Sequence, residues 1–224
     1  MLKRNQYHGR RCSFEGLEQR RMMAGDVVVK MSGENLIING NRLDNAITIT
    51  AGAIPGQVIV QGQTAGGSAT RINGTPNGTT TLNGFFGDLK VNMASGQDSL
   101  TINGVTVRGN TTLKTGRGID NVAILNVNSW GNVKVKTGNG SDNLTVANTT
   151  VAGKTVLKTG TGNDLVTVTN LATNKLKVST GKGNDQVSLI NVTAAKATLN
   201  GGSGVNKLGV AASFLPKTSV KKFV

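Results

Sequence analysis

The sequence predicts an all-β protein, a single-stranded right-handed parallel β-helix (β-solenoid) with three short strands in each coil of 21–22 residues. Three observations predict it. One acidic residue recurs at Asp98, Asp120, Asp142, Asp164 and Asp185, then becomes Asn206, in steps of 22, 22, 22, 21 and 21 residues. A turn pattern recurs around it: TGRGIDNVA (115–123), TGNGSDNLT (137–145), TGTGNDLVT (159–167), TGKGNDQVS (180–188) and GGSGVNKLG (201–209). Near-constant self-similarity of this length marks stacked structural repeats. The composition agrees: 31 Gly, 3 Pro, and Trp130, Tyr7 and five Phe as the only aromatic residues among 224. A core so poor in rings must be narrow and filled by aliphatic side chains. The fixed intervals of Val, Leu and Ile exclude a disordered chain.

The first strand follows the acid. Two residues on stand Leu100, Val122, Leu144, Val166, Val187 and Leu208; four on stand Ile102, Ile124, Val146, Val168, Leu189 and Val210. A period of two is a strand with one inward face. The second strand has Val105, Val127, Thr149, Leu171 and Val192, then Val107, Ser129, Val151, Thr173 and Ala194. The third has Leu89, Thr111, Val133, Thr155, Leu176 and Ala197, then Val91, Leu113, Val135, Leu157, Val178 and Leu199. Three strands per coil make a triangular prism. Coils rise by about 4.8 Å, so six to eight of them give a rod of roughly 30–40 Å. Parallel crossovers make the expected winding right-handed.

The corners have their own columns. Asn126, Asn148, Asn170 and Asn191 lie between the first and second strands, where stacked amides hydrogen-bond along the axis. Gly87, Gly109, Gly131, Gly153 and Asn174 precede the third strand, a column expected to mark a left-handed backbone position. The third corner is the Gly-x-Gly-x-Asp turn.

The expected organisation is a basic targeting or capping segment at 1–25, a solenoid at 26–212, and a C-terminal cap or tail at 213–224. Within the solenoid, 26–86 reads as degenerate coils and 87–212 as regular ones. GNRLDNAIT (40–48) restores the turn around Asp44, VIVQGQTAGG (58–67) reads as a third strand and turn, and 70–88 reads as a loop insertion. Phe85 and Phe86, like Ser129 and Trp130, fall near a corner and are expected to cover coil edges. Phe214, Leu215 and Phe223 are expected to fold over the last coil, with Pro216 blocking further pairing.

The turns resemble the RTX nonapeptide, GGxGxDx(aliphatic)x, of secreted bacterial β-rolls. The first Gly is replaced by Thr115, Thr137, Thr159 and Thr180; the next two are kept at Gly116/Gly118, Gly138/Gly140, Gly160/Gly162 and Gly181/Gly183. That family carries such turns on both sides of each coil, whereas this chain has one per longer coil. The resemblance implies calcium as a cofactor, with Asp98, Asp120, Asp142, Asp164 and Asp185 as metal ligands. Stacked carboxylates repel unless a cation or hydrogen-bond donors intervene, and calcium takes oxygen ligands. The alternative is that each Asp caps its turn by accepting backbone N–H bonds. Lys114, Lys136 and Lys158, a column six residues before the acids, weigh against a cation.

Residues 14–26, FEGLEQRRMMAGD, resemble the Phe-Glu-x-Leu-Glu-x-Arg-x-Met-Leu-Ala-x-Asp motif near the N-termini of many planctomycete exported and surface proteins. The match covers Phe14, Glu15, Leu17, Glu18, Arg20, Met22, Ala24 and Asp26; Gln19 replaces a usual Pro and Arg21 follows the Arg. It implies export to the cell surface or beyond. A short amphipathic cap on the open end of the solenoid is the other reading of this segment.

The formal charge is +14, with Lys3, Arg4, Arg10, Arg11, Arg20 and Arg21 near the start and Lys217, Lys221 and Lys222 in the tail. Such a balance suits anionic surfaces or polysaccharide. A specific nucleic-acid partner is not expected, because a basic groove interleaved with rings is missing from the pattern. Cys12 is the single cysteine, so no disulfide forms within the chain, and no apolar window is long enough for a transmembrane helix. His8 is the single histidine, which excludes His-based triads and His clusters. Polysaccharide-active β-helix enzymes need acids in an irregular cleft, and 70–88 offers only Arg71 and Asp88. The expectation is a non-enzymatic secreted or cell-surface protein with a structural or adhesive role, meeting polysaccharide or other surface proteins. A calcium-responsive folding module is the alternative class, with a polysaccharide-active β-helix enzyme as a further, less favoured one.

Overall fold

The computed structural model describes residues 25–224. These form an all-β solenoid with no helix. Residues 1–24 lie outside the described part, so the basic N-terminal cluster and the export-like motif up to Ala24 do too. Asp26, the last motif residue, opens the strand Asp26–Ser32.

From Leu89 onward the chain repeats third strand, Asp turn, first strand and second strand through six coils. The third-strand ladder runs Leu89–Thr111–Val133–Thr155–Leu176–Ala197, every step parallel. The first-strand ladder runs Leu100–Val122–Leu144–Val166–Val187–Leu208 in the same way. The second strand is shortest, as in Thr106–Val107 and Asn128–Ser129. In the middle of the rod the pairing carries through the corners, giving continuous strands Asn143–Thr161 and Leu165–Lys182.

The inward columns are buried along the rod, from Leu89 and Leu100 to Leu199. Only the last rung of the first strand emerges, with Val210 half exposed. Each buried Leu, Ile or Val side chain contributes roughly 1.5–3 kcal/mol relative to exposure. Small polar residues fill the narrow second strand. Thr149 donates to the Ala147 carbonyl at 3.0 Å, and the Thr155 hydroxyl to that of Thr173 at 3.0 Å.

Two corners exchange the roles expected of them. Asn126, Asn148, Asn170 and Asn191 form the amide ladder, and they also hold the left-handed backbone, with φ of 54°, 51°, 52° and 53°. Each Nδ2 donates to the Oδ1 below, for example Asn170 to Asn148 at 2.7 Å and Asn191 to Asn170 at 2.8 Å. The Gly column before the third strand has no positive φ. It is glycine because of crowding: a Cβ on Gly153 would lie 2.7 Å from the Gly131 carbonyl oxygen. A further ladder beside it escaped the sequence reading. The N–H groups of Asp88, Asn110, Asn132 and Lys154 donate to Asn35, Asp88, Asn110 and Asn132 Oδ1 respectively.

Residues 26–86 depart from the expected degenerate coils. Asn35–Asn39 and Ala46–Ala51 do stack in parallel beneath Leu89–Asn92 and Ser99–Asn103. Asp26–Ser32 instead pairs antiparallel with Asn35–Asn39, and Val58–Gly62 antiparallel with Ala46–Ala51. Val58–Gly62 is therefore a hairpin partner of a first strand, not a third strand. The reason is the short turn 52–57, closed by Gln57 N–H to Ile54 C=O (3.0 Å) and Gly52 N–H to Gln57 C=O (2.8 Å). So short a connection reverses the chain, whereas a parallel return needs a long crossover. The stretch 70–88 leaves the coil register as expected, but as strands: Arg71–Ile72 pairs with Thr75–Pro76, and Thr79–Leu82 with Val58–Gly62. These antiparallel strands cover the edge of the lowest coil, where an open parallel edge would invite further pairing.

At the other end the ladder continues past 212. Phe214 bridges Thr193, and Thr218–Lys221 pairs in parallel with Ala197–Asn200. Leu215 and Phe223 pack against the core as expected, but Phe214 is 66% exposed and covers nothing.

Candidate functional site

The predicted site residues Asp98, Asp120, Asp142, Asp164 and Asp185 stand in one column at one corner, all buried. The glycines of the turn create the corner. Gly140 has φ of 132°, a region closed to side chains, and a Cβ there would collide with the Gly118 carbonyl of the coil below. With the turn so folded, the acid points inward beneath the first strand. Each Oδ1 accepts the backbone N–H of the equivalent residue one coil earlier: Asp98 to Asp120, Asp120 to Asp142, Asp142 to Asp164 and Asp164 to Asp185, all at 2.9 Å.

Asparagines close both ends. Asp185 N–H donates to Asn206 Oδ1 at 3.0 Å. At the start the ladder residue is Asn45, not Asp44. Asn45 donates its N–H and its Nδ2 to Asp98 Oδ1, both at 2.9 Å. Asp44 sits one position earlier, in an outer column, where its Oδ1 accepts the Gln97 N–H at 2.7 Å. The turn around 40–48 holds two adjacent acid-or-amide residues, and the pairing of Ser99 with Ala46 decides between them. Beside the acids runs a hydroxyl ladder: Thr115, Thr137 and Thr159 donate to the carbonyls of Thr137, Thr159 and Thr180 at 3.1, 3.3 and 3.1 Å.

The second carboxylate oxygen of all five aspartates is buried without a hydrogen-bond partner. Burial pushes the Asp98 carboxyl up to about 7 and that of Asp142 to about 6, against the opposing hydrogen bonds of their neighbours. Asp120 and Asp164 are raised for the same first reason, with the Thr115 and Thr159 hydroxyls pulling the other way. Two negative charges one coil apart add further repulsion at Asp142, which feels both Asp120 and Asp164.

This donor set does not fit calcium. Calcium takes roughly six to eight oxygens around one centre, whereas each level here offers one uncommitted Oδ2, sealed inside the corner. Among the described residues no three His, Cys, Asp or Glu side chains gather at one point. The arrangement instead matches the capping alternative, with one change: each acid caps the coil before it, not its own turn.

Other surface features complete the picture. Phe85 is buried in the core, while Phe86, Arg108 and Trp130 stack at the corner before the third strand. The Arg108 guanidinium lies 4.6 Å from the Phe86 ring centre and 5.3 Å from that of Trp130. Sequence reasoning noticed the two aromatic positions but not the arginine between them, although all three are 22 residues apart. A shallow pocket lies between Ala51–Val58, Phe85 and Gly104–Thr106, and its walls hold no ionisable side chain. Asp88 pairs with Lys90 at 3.3 Å, and the Asn110 N–H holds its carboxyl below the usual range. No helix among the described residues is long and apolar enough to cross a membrane.

Compared with known proteins, the chain matches no family model, no curated protein and no solved structure.

Proposed function

We propose that the protein is a non-enzymatic, exported rod that acts at the cell surface or outside the cell as a structural or adhesive element. The observation that carries this reading is the parallel stacking of six coils, interrupted only by a one-residue shift at the corner between Val151 and Lys154, which turns a 21–22-residue repeat into a stiff prism with flat, repeating sides. Such sides suit polyvalent contact, in which many weak, evenly spaced interactions add. The acids that could serve chemistry are committed to the backbone along the ladder, and Asp88 to Lys90 and Asn110. The export-like motif at 14–26 supports the location. Fractionation of the producing cells, followed with an antibody to the rod, tests it. Recovery in the envelope or medium is expected; recovery in the cytosol overturns the location.

On this reading the aspartate ladder serves stacking without calcium. Circular dichroism in excess calcium and in chelator checks that choice. The same spectrum and melting curve are expected in both; a fold that appears only with calcium would restore the calcium-responsive class.

A further inference from the structure

We propose that the third-strand side of the rod is a binding face for a linear anionic polysaccharide, a polymer carrying one carboxylate or sulfate per sugar or two. The inference rests on the adhesive reading above and names the partner of that surface.

The charge of the rod is sorted by side. Lys114, Lys136 and Lys158 stack directly on one another in successive coils. Two residues earlier on the same face of the strand, Lys90, Lys134 and Lys177 alternate with Thr112 and Val156. At the start of the same strand, Lys154, Lys175 and Lys196 form a third column. All nine are exposed. The outward positions of the first strand, by contrast, are Ser, Thr, Asn, Ala, Leu, Gln, Ile and Gly from Ser99 to Ala211, with Lys207 in the last rung the one charge among them.

Acids do not balance this side. Of the eleven Asp and Glu, five are the buried ladder, and Glu15 and Glu18 precede the described residues. Asp26, Glu34, Asp44 and Asp88 remain, and only Asp88 makes an ion pair with a lysine of this face.

Protection against edge pairing does not account for the pattern. Lysine protects edge strands, but these lysines lie in the middle of the sheet with a coil above and below. Stacking like charges about 4.8 Å apart costs stability, a cost avoidable by spreading lysines over three sides. A second copy of this chain is no match, being basic itself. Nucleic acid is the weaker partner: the face is flat, without a groove, and the neighbouring rings, Phe86 and Trp130, stand at the corner instead of between the lysines. A flat, evenly charged strip matches an extended chain of sugars whose carboxylates repeat along it.

The experiment measures binding of the purified rod to polygalacturonate, with dextran and duplex DNA in parallel, at roughly 0.15 M ionic strength, where charges about 8 Å apart still interact. Polygalacturonate is expected to bind and dextran not. The double variant Lys136→Glu/Lys158→Glu is expected to lose at least about tenfold in affinity, and Lys136→Gln/Lys158→Gln a smaller but clear amount. The control Arg42→Glu/Lys207→Glu, with the same charge change off this face, is expected to stay within about threefold. Unchanged circular dichroism spectra qualify each variant. Equal losses in the face and control variants, no binding of polygalacturonate, or tighter binding of DNA would each overturn the proposal. An exported protein that ignores polygalacturonate overturns this inference alone, whereas a cytosolic one that binds it overturns only the location.

Discussion

At the scale of single residues, a ladder aspartate is pulled two ways. Its Oδ1 is paid for by a backbone N–H, while its Oδ2 is buried without a hydrogen-bond partner, the nearby threonine hydroxyl being given to a carbonyl of the next coil. A carboxylate left so prefers its neutral form. Asn45 and Asn206, neutral isosteres of the protonated acid, occupy the two ends, and the Asn45 amide donates to the Leu43 carbonyl at 2.6 Å. Asp142→Asn is therefore expected to raise the melting temperature at pH 8 and to leave it nearly unchanged at pH 4. Thermal melts followed by circular dichroism check this; a lower melting temperature at pH 8 would show that the ionised form is needed. The left-handed corner gives a second residue-scale prediction. Asn170→Ala removes a ladder amide and leaves φ of 52° to a residue without the polar side chain that lets asparagine hold it, with an expected loss of about 1–3 kcal/mol. Asn170→Gly should lose less, since glycine adopts this φ without strain. Urea denaturation of both variants separates the two contributions.

At the scale of the element, the turn and the strand depend on each other. The Gly-x-Gly backbone brings coils so close that no side chain fits between them, and only then can the aspartate reach the N–H one coil away. Gly140→Ala should accordingly disrupt the stacking of two coils, not one turn. Its expected loss of at least about 2–4 kcal/mol exceeds that of a glycine replaced in an ordinary loop. Loss of hydrogen-exchange protection on both sides, at 116–125 and 138–147, would confirm it. A change confined to 138–141 would contradict it. The strand after the turn is fixed more simply by apolar residues at every second position, which bury Leu144 and Val146, expose Asn143 and leave Thr145 half-buried.

At the scale of the whole molecule, the buried acids give the rod an unusual pH dependence. Folded-state carboxyl values lie above the ordinary 3.8, near 7 for Asp98 and near 6 for Asp142. Between those limits the folded chain holds more protons than the unfolded one. Stability from this source is thus fully present below about pH 4 and is lost as pH rises through 6 and 7. A rising melting temperature from pH 8 down to pH 5 is expected, against the usual acid weakening of proteins whose carboxylates are paired. A flat or falling profile over that range would mean that the ladder stays ionised.

The sequence by itself determined the coil. Repeat length, the three strands, the inward columns and two of the corner ladders follow from residue spacing, because a stacked parallel coil places residue i directly over its equivalent one repeat earlier. It also held the five aspartates in one column, and the Lys114, Lys136 and Lys158 column beside them. Tertiary structure alone decided what those columns do. The direction of the acids, the choice of Asn45 over Asp44, the exchange of left-handed geometry from glycine to asparagine, and the antiparallel strands at 26–86 depend on how close neighbouring coils approach. That distance is set by hydrogen bonds between residues far apart in the chain, 53 apart for Asn45 and Asp98. The sorting of charge onto one side likewise appears only once the corners have turned the repeat into a prism.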